Sequence, residues 1–353
     1  MKIGIAGAGI AGRMLAWRLH LLGFEITIFD KSPRDSQDAS SFAAAGILSP
    51  LAELEMAEPE IFELGSRSLE LYPQWLKELS SNVFFKQEGS IVAAHSQDKV
   101  ELEHFYRLIN RKLENVSDYA QKVDLAIKDQ ELETLGEGLY LPTEGQLDPI
   151  ELLQALDKEL QTISWHENTE IVEVDKGVIK TKDQTYKFDW VFDCRGLGAS
   201  NELPLRAVRG ELLWLEAPDV NLKYLTRLMH PRYRIYIVPR PNNIYLVGAT
   251  EIESEDHSPV SVRSSLELLS AAYSVHKGFG EARITKSVVN CRPALPDNLP
   301  LIELENGIGR INGLYRHGIL LAPALVEKAI EQFLALTKIS NREYPENNYA
   351  VNA

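Results

Sequence analysis

The first thirty residues carry the pattern that most constrains the fold of this chain. A short apolar segment at residues 2–6 is typical of a β-strand, and Gly-Ala-Gly-Ile-Ala-Gly follows it at residues 7–12. Apolar side chains then recur every three or four residues up to Leu22, which indicates a helix. A second apolar strand at residues 25–29 ends in Asp30. This order of strand, glycine loop, helix and strand predicts a parallel βαβ unit that binds a nucleotide.

Each part of the glycine loop has its own predicted role. Gly7 allows the tight turn after the strand, Gly9 leaves bare backbone for a pyrophosphate, and Gly12 lets the helix pack closely on the sheet. Ile10 and Ala11 begin the helix, whose free N–H groups and positive dipole end would face the phosphates. The alternative is a βαβ unit of the same shape that binds nothing.

Asp30 and the segment after it extend the predicted nucleotide site. An acidic side chain at the end of the second strand accepts hydrogen bonds from a ribose, and its charge disfavours a 2′-phosphate. A polar loop from Lys31 to Ser41 then leads to small residues at 42–48. Small side chains allow a ligand to approach the backbone closely, but they also suit a plain turn against a helix.

Composition excludes several classes of partner. The chain of 353 residues has 37 basic and 51 acidic side chains, and its net charge of −14 argues against nucleic acid or an anionic membrane. Cys194 and Cys291 are its only cysteines, too few for a disulfide framework and without metal-ligand spacing. No apolar run approaches the about 20 residues that span a bilayer, and no room for a signal peptide precedes the first strand. We therefore expect a cytoplasmic protein without a metal site.

The rest of the chain mixes helices and strands. We predict helices at residues 58–80, 99–113, 148–160 and 262–276, the first of them broken or bent near Pro73. We predict strands at 83–85, 90–94, 163–166, 170–174 and 185–188, and we interpret 139–146 as a link. Alternating strands at 212–216, 233–239 and 243–249, with others at 282–291 and 310–312, favour an antiparallel sheet in the second half.

Two further glycine turns follow predicted strands. The apolar run at 190–194 is typical of a buried strand, and Arg-Gly-Leu-Gly follows it at 195–198. Near the C-terminus, a strand and glycines at 311–318 precede a helix that we expect to start near Ala322, with Pro323 in its first turn. This second helix N-terminus could stabilise negative charge on a cofactor ring.

Six segments resemble, in order, the FAD-dependent D-amino-acid oxidase family, and within it the glycine oxidases of thiamin thiazole synthesis. They are residues 7–30, 43–48, 236–240, 247–250, 292–300 and 315–323. The resemblance covers essentially the whole chain, and its later segments are more specific than the glycine loop. It implies an α/β fold in which a Rossmann-like FAD-binding domain of the glutathione-reductase type carries an inserted, antiparallel α+β substrate domain. The implied FAD-binding domain comprises residues 1–84, 140–208 and 286–353, and the substrate domain 85–139 and 209–285.

The resemblance also implies roles for individual residues. Arg292 would hold a substrate carboxylate, Tyr236 would reach it with its hydroxyl, and Arg316 would lie beside substrate and flavin. Glu170 would meet the adenine through its backbone, and Asp30 stands where family members usually carry Glu. The implied FAD-binding residues are Gly7, Gly9, Ile10, Ala11, Gly12, Asp30, Lys31, Ser41, Ala45, Gly46, Ile47, Glu170, Cys194, Gly196, Gly198, Arg316, His317, Gly318, Ile319 and Leu320.

The activity implied by the resemblance is oxidative deamination of glycine or another small amino acid. A hydride would pass from Cα to flavin N5, and oxygen would reoxidise the flavin to give hydrogen peroxide. One alternative is a dehydrogenase of the same fold that passes electrons to a quinone or carrier, and another is a flavin- or nucleotide-binding protein without turnover. The sequence leaves open which amine is the substrate and whether the protein forms a homo-oligomer.

Overall fold

The computed structural model describes residues 1–232 and 234–338. Its strands are β1 (Lys2–Ala6), β2 (Glu25–Phe29), β3 (Ile47–Leu48), β4 (Phe85–Lys86), β5 (Ser90–Ala94), β6 (Gln121–Asp124), β7 (Glu137–Leu141), β8 (Gly145–Leu147), β9 (Ser164–His166), β10 (Ile171–Asp175), β11 (Val178–Thr181), β12 (Thr185–Lys187), β13 (Trp190–Asp193), β14 (Arg206–Glu216), β15 (Leu225–Met229), β16 (Ile235–Arg240), β17 (Ile244–Gly248), β18 (Ile252–Glu253), β19 (Arg283–Ala294), β20 (Leu301–Glu305) and β21 (Ile308–Asn312). Its helices are α1 (Ile10–Leu21), α2 (Pro50–Glu53), α3 (Pro59–Glu78), α4 (Lys99–Lys112), α5 (Leu125–Lys128), α6 (Pro149–Glu159), α7 (Val262–Val275) and α8 (Gly318–Thr337).

The first of two large sheets is built around β1. Its strand order is β20-β21-β13-β1-β2-β9, and every pairing except β20 with β21 is parallel. Apolar side chains of α1, α3, α6 and α8 share one core with this sheet, and the small sheet β10-β11-β12 packs on its other face. Because both faces are covered, β1 and β13 are apolar along almost their whole length.

The second large sheet is mainly antiparallel. Its order is β18-β14-β17-β16-β15-β5-β7-β6, and β19 pairs with β14 along the whole of that strand. Only β5 and β15 pair in parallel. Helix α7 packs its buried apolar side chains against this sheet. A second small sheet has the order β3-β8-β4, and both of its pairings are antiparallel. The predicted α/β fold class with an antiparallel α+β second part is confirmed.

Several predicted elements are confirmed and others are wrong. The βαβ unit, α4 and α7 lie where the sequence predicts them, and the Asp148 carboxylate caps α6 by accepting from the Ile150 N–H at 2.8 Å. The helix predicted at 58–80 is confirmed as α3, but it continues unbroken through Pro73. The predicted link at 139–146 instead contains most of β7 and β8. Strands β6, β15 and β20 were not predicted.

The last helix starts earlier than predicted, and a side chain explains how it tolerates proline. Helix α8 begins at Gly318, so Pro323 lies in its second turn rather than its first. Pro323 has no N–H to donate to the Ile319 carbonyl one turn back. The buried Tyr72 hydroxyl of α3 donates to that carbonyl instead. No local pattern in the sequence indicates this bond, because its two partners lie far apart in the chain.

Three predicted domain boundaries fall inside strands. The change at 139/140 lies within β7, that at 208/209 within β14, and that at 285/286 within β19. The division into two domains stays a proposal with these boundaries. Tyr233, the start of one predicted strand, and the tail 339–353 lie outside the described residues. Of the helices in residues 1–232 and 234–338, none is long and apolar enough to cross a membrane.

Candidate active site

One cavity of about 580 Å³ reaches from the glycine loop to the antiparallel sheet. Of all the residues predicted to bind cofactor or substrate, only Gly12 does not line it. The lining residues from that prediction are Gly7, Gly9, Ile10, Ala11, Asp30, Lys31, Ser41, Ala45, Gly46, Ile47, Glu170, Cys194, Gly196, Gly198, Tyr236, Arg292, Arg316, His317, Gly318, Ile319 and Leu320. The structure therefore brings together residues that are scattered over most of the sequence.

The glycine loop leaves space for a ligand at one of its three glycines. Gly7 has φ +94°, and a Cβ there would lie 2.5 Å from the Cys194 carbonyl oxygen. A Cβ on Gly12 would collide with the Gly7 carbonyl oxygen, so this glycine permits the close packing of α1. Of the described residues, a Cβ on Gly9 would meet only the Ser41 hydroxyl, at 3.7 Å. Bare backbone at the start of a helix fits a pyrophosphate.

Side chains around the loop hold it in place. The Asp30 carboxylate accepts from the Ala8 N–H at 2.6 Å and from the Ser32 N–H at 2.9 Å. The Ser41 hydroxyl accepts from the Ile10 N–H at 3.0 Å, at the first residue of α1. Asp30 thus fixes the loop as well as lining the cavity, and its contact with a ribose stays a prediction.

A buried arginine supports the small-residue loop at the centre of the cavity. Arg240 donates to the carbonyl oxygens of Ala45 and Leu147, both at 2.6 Å, and its guanidinium lies 5.1 Å from the centre of the Phe84 ring. Burial lowers the pKa of Arg240 to about 10. Gly46, at φ +69°, has no room for a Cβ beside the Leu147 carbonyl. These contacts fix the loop that carries Gly46, which is predicted to pack on the flavin ring.

The end of the cavity that is predicted to hold the substrate, named the substrate end, is lined by Glu53, Glu55, Arg227, Arg234, Tyr236, Glu251, Arg292 and Arg316. Arg292 lies on β19 and donates to the Thr250 carbonyl at 3.1 Å. No carboxylate of the described residues lies within 4.0 Å of its guanidinium. Burial without such a partner lowers the pKa of Arg292. A guanidinium in this state provides a strong site for a ligand carboxylate.

Arg316 lies at the same end but has two carboxylate neighbours. Its Nε is 2.7 Å from Glu53 Oε2, and its Nη1 donates to Glu251 Oε2 at 3.2 Å. Glu53 also accepts from Arg227 Nη2 at 2.7 Å. Burial alone would raise the pKa of Glu53, but the charges of Arg316 and Arg227 hold it well below its usual range. Arg316 is therefore largely neutralised, whereas Arg292 is not.

His317 joins this group without carrying a charge. Its Nδ1 lies 3.5 Å from Glu53 Oε2, and the side chain is buried. Burial lowers the pKa of His317 to about 4, despite the nearby carboxylate, so the imidazole is neutral at neutral pH. The next residues, Gly318 to Leu320, begin α8 and present the first turn of a helix to the cavity.

The sequence patterns do not indicate Glu53, Arg227 or Glu251 as site residues, and they include Arg240 only as part of the segment 236–240, without a role. Glu53 belongs to an acidic stretch at 53–60 that looks like a solvated surface. Its position just after the small-residue loop was the only signal that it could reach the cavity. The described residues contain no group of three or more potential metal ligands.

Comparison with known proteins gives a consistent family. The family model described as FAD-dependent oxidoreductase (DAO) matches residues 2–331. The chain is 39% identical over 337 residues to a Rhizobium etli protein named thiamine biosynthesis oxidoreductase ThiO, covering 95% of this chain and 97% of that protein. The crystal structure of glycine oxidase from Geobacillus kaustophilus has a TM-score of 0.80 and 26% identity, with 94% of each chain covered. That of the Bacillus cereus glycine oxidase, at 20% identity and a TM-score of 0.82, shows the same fold.

The matched residues include the glycine loop, the small-residue loop and both ends of the cavity. They extend over more than half of the chain, and the Rhizobium etli relative matches almost from end to end. The resemblance seen in the sequence motifs is thereby confirmed. The chain belongs to the DAO family of FAD-dependent oxidoreductases.

Proposed function

We propose that this protein oxidises glycine or another small primary or secondary amino acid with FAD. The observation that carries the proposal is the Arg292 guanidinium, which lies in the same cavity as the glycine loop and has no carboxylate partner among the described residues. Arginine suits a carboxylate because its planar fork makes two parallel, charge-assisted hydrogen bonds. The name glycine oxidase borne by similar proteins supports this substrate class.

The residues of the cavity fit FAD. Open backbone at Gly9 would take the pyrophosphate, the loop at Gly46 would pack on the ring system, and the start of α8 would face its pyrimidine end. When bound, FAD accepts the hydride that leaves the substrate Cα. The positive end of α8 would favour negative charge at the pyrimidine end of the ring system.

The protein's own residues would orient the substrate. Arg292 would fix the carboxylate, and the Tyr236 hydroxyl would donate a second hydrogen bond to it. Fixing one end of a small molecule in this way places its Cα reproducibly at the cofactor ring. Among the described lining residues, His317 is neutral and bound to the Glu53 group, so we assign it no proton transfer. Direct hydride transfer needs no side-chain base, provided that the amine binds in its neutral form.

The metabolic role that we propose is the supply of an imine or 2-oxo acid for thiamin thiazole synthesis. The name of the Rhizobium etli relative supports it. Water would hydrolyse the imine, and oxygen would take two electrons and two protons to give hydrogen peroxide.

Anaerobic mixing with small amino acids tests the proposed function. We expect glycine or an N-alkyl glycine to bleach the yellow flavin, and admission of oxygen to restore it with one hydrogen peroxide per flavin. Bleaching with slow recovery in oxygen but fast recovery with a quinone would favour the dehydrogenase alternative. A flavin that no small amino acid bleaches would support a binding protein without turnover.

A further inference from the structure

We propose that Glu251 determines substrate specificity by restricting the site to molecules with a single carboxylate. The inference rests on the proposed function and extends it to a residue that the sequence motifs did not single out. Glu251 follows β17 and lines the substrate end of the cavity. Its side chain is half-exposed, whereas that of Glu53 is 10% exposed.

The charges at this end of the cavity are paired except for one. Four arginines line it, and three of them contact carboxylates that also line it. These contacts are Arg227 to Glu53 at 2.7 Å, Arg234 to Glu55 at 2.5 Å, and Arg316 to Glu251 at 3.2 Å and to Glu53 at 2.7 Å. Arg292 is the fourth, and it has no such partner among the described residues. One substrate carboxylate therefore satisfies the only unpaired guanidinium of this lining.

A second carboxylate would need another cation, and Arg316 lines the same end of the cavity as Arg292. Glu251 lines the same end and contacts Arg316 at 3.2 Å, so the free end of a ligand held by Arg292 would meet both groups. Glu251 Oε2 accepts a hydrogen bond from Arg316 Nη1, and Glu251 Oε1 accepts one from the Tyr315 hydroxyl. The carboxylate is thus fixed between Arg316 and Tyr315. It both satisfies Arg316 and repels a second anionic group.

Removal of the Glu251 charge should change the specificity of the site rather than destroy it. Glu53 would still hold Arg316 through Nε at 2.7 Å, so the guanidinium would stay at the cavity wall. Its Nη1 would then have at most a neutral carboxamide oxygen as partner at position 251, which a ligand carboxylate can displace. Glu251→Gln should then accept a second carboxylate on Arg316 while Arg292 binds the first.

Binding of two non-oxidisable probes to the FAD-loaded protein tests this inference. Acetate and malonate carry one and two carboxylates, and a ligand beside the flavin perturbs its visible absorption. In the parent protein we expect acetate to bind more tightly than malonate. In Glu251→Gln we expect the malonate-to-acetate affinity ratio to rise at least tenfold. Glu253→Gln is the matched control, because Glu253 is an exposed partner of Arg206 outside the cavity lining, and its ratio should not change.

Several results would overturn the inference. They are a parent protein that binds malonate as tightly as acetate, an affinity ratio that Glu251→Gln leaves unchanged, or the absence of any response to either probe. If Glu251→Gln loses FAD, Glu251→Ala is measured in its place. Independently of either variant, a parent protein that binds malonate as tightly as acetate would overturn the inference. The probes need no turnover. A protein that shows the ratio change but does not oxidise glycine would contradict the proposed function and leave the role of Glu251 standing.

Discussion

At the scale of single residues, two glycines make room for the side chains of the substrate end. A Cβ on Gly210 of β14 would collide with the Arg292 guanidinium, and one on Gly248 of β17 would lie 2.9 Å from the Tyr236 hydroxyl. Neither glycine has a positive φ, so each is needed for space rather than for backbone conformation. β14 pairs with β19, which places Gly210 near Arg292, and β17 pairs with β16, which places Gly248 opposite Tyr236.

Gly210→Ala should displace the Arg292 guanidinium and weaken substrate binding. We expect the KM for glycine to rise about tenfold, which corresponds to about 1.4 kcal/mol, while FAD stays bound. Gly280→Ala is a suitable control, because its Cβ would meet only the Tyr273 ring, at 2.9 Å, outside the cavity. Steady-state kinetics and the flavin spectrum of both variants provide the measurement. An unchanged KM in Gly210→Ala would show that Arg292 does not hold the substrate in this position.

At the scale of elements, helix α2 depends on a second buried carboxyl group. α2 carries Glu53, and the Glu144 carboxyl accepts from the Ala52 N–H of that helix at 2.8 Å. The Ser90 hydroxyl of β5 donates to its other oxygen. Glu144 therefore links the segment that carries Glu53 to the antiparallel sheet. Burial raises the pKa of Glu144 to about 7, although both hydrogen bonds act in the opposite direction.

Glu144→Gln should remove a pH dependence of stability. Because its folded pKa is about 7 and its usual value is 4.5, the folded state holds the proton more tightly between these values. The parent should therefore lose stability as pH rises through this window, and the stability of Glu144→Gln relative to the parent should increase by about 2 to 3 kcal/mol between pH 5 and pH 8. Urea unfolding of both proteins at the two pH values measures this. A difference that does not change with pH would contradict the raised pKa.

Elements with local sequence signals are predictable, and elements that depend on distant contacts are not. The βαβ unit, α4 and α6 are predictable, because their periodicity and end signals are local. The strands at 137–147 are not, because glycines and a proline there suggest a link and only pairing with distant strands makes them a sheet. In the same way, Glu53 and Glu251 look like surface charges until the fold brings arginines to them. Family motifs, rather than physical pattern, identified Arg292 and Tyr236 as candidates.

At the scale of the whole molecule, the cavity joins the two large sheets. The parallel sheet supplies the glycine loop, and the antiparallel sheet supplies Tyr236 and Arg292. The predicted nucleotide end and the predicted substrate end are thus parts of one continuous space. An extended cofactor with a phosphate end and a reactive ring fits this arrangement, because its ring would reach the end of the cavity that Arg292 and Tyr236 line.

Gly9→Val should give a folded protein that lacks FAD. The surroundings of Gly9 leave space for a Cβ, so the substitution should cost little stability, but the side chain would project where the pyrophosphate is expected. Gly12→Val, in contrast, should disturb folding, because its Cβ would collide with the Gly7 carbonyl. Circular dichroism and the flavin absorption of the purified variants distinguish the two outcomes. A yellow Gly9→Val protein with parental FAD content would contradict the placement of the pyrophosphate.

The central claim is that Arg292 anchors the carboxylate of an amino acid that FAD oxidises. Its most direct test is the anaerobic bleaching of the flavin by increasing glycine, in the parent protein and in Arg292→Ala. Loss of one partner of a buried charge pair costs roughly 2–5 kcal/mol, so the variant should need at least about thirtyfold more glycine while retaining its FAD. Arg316→Ala should shift the curve less, because Glu53 and Glu251 already neutralise that side chain. Identical bleaching curves for the parent and Arg292→Ala would contradict the account.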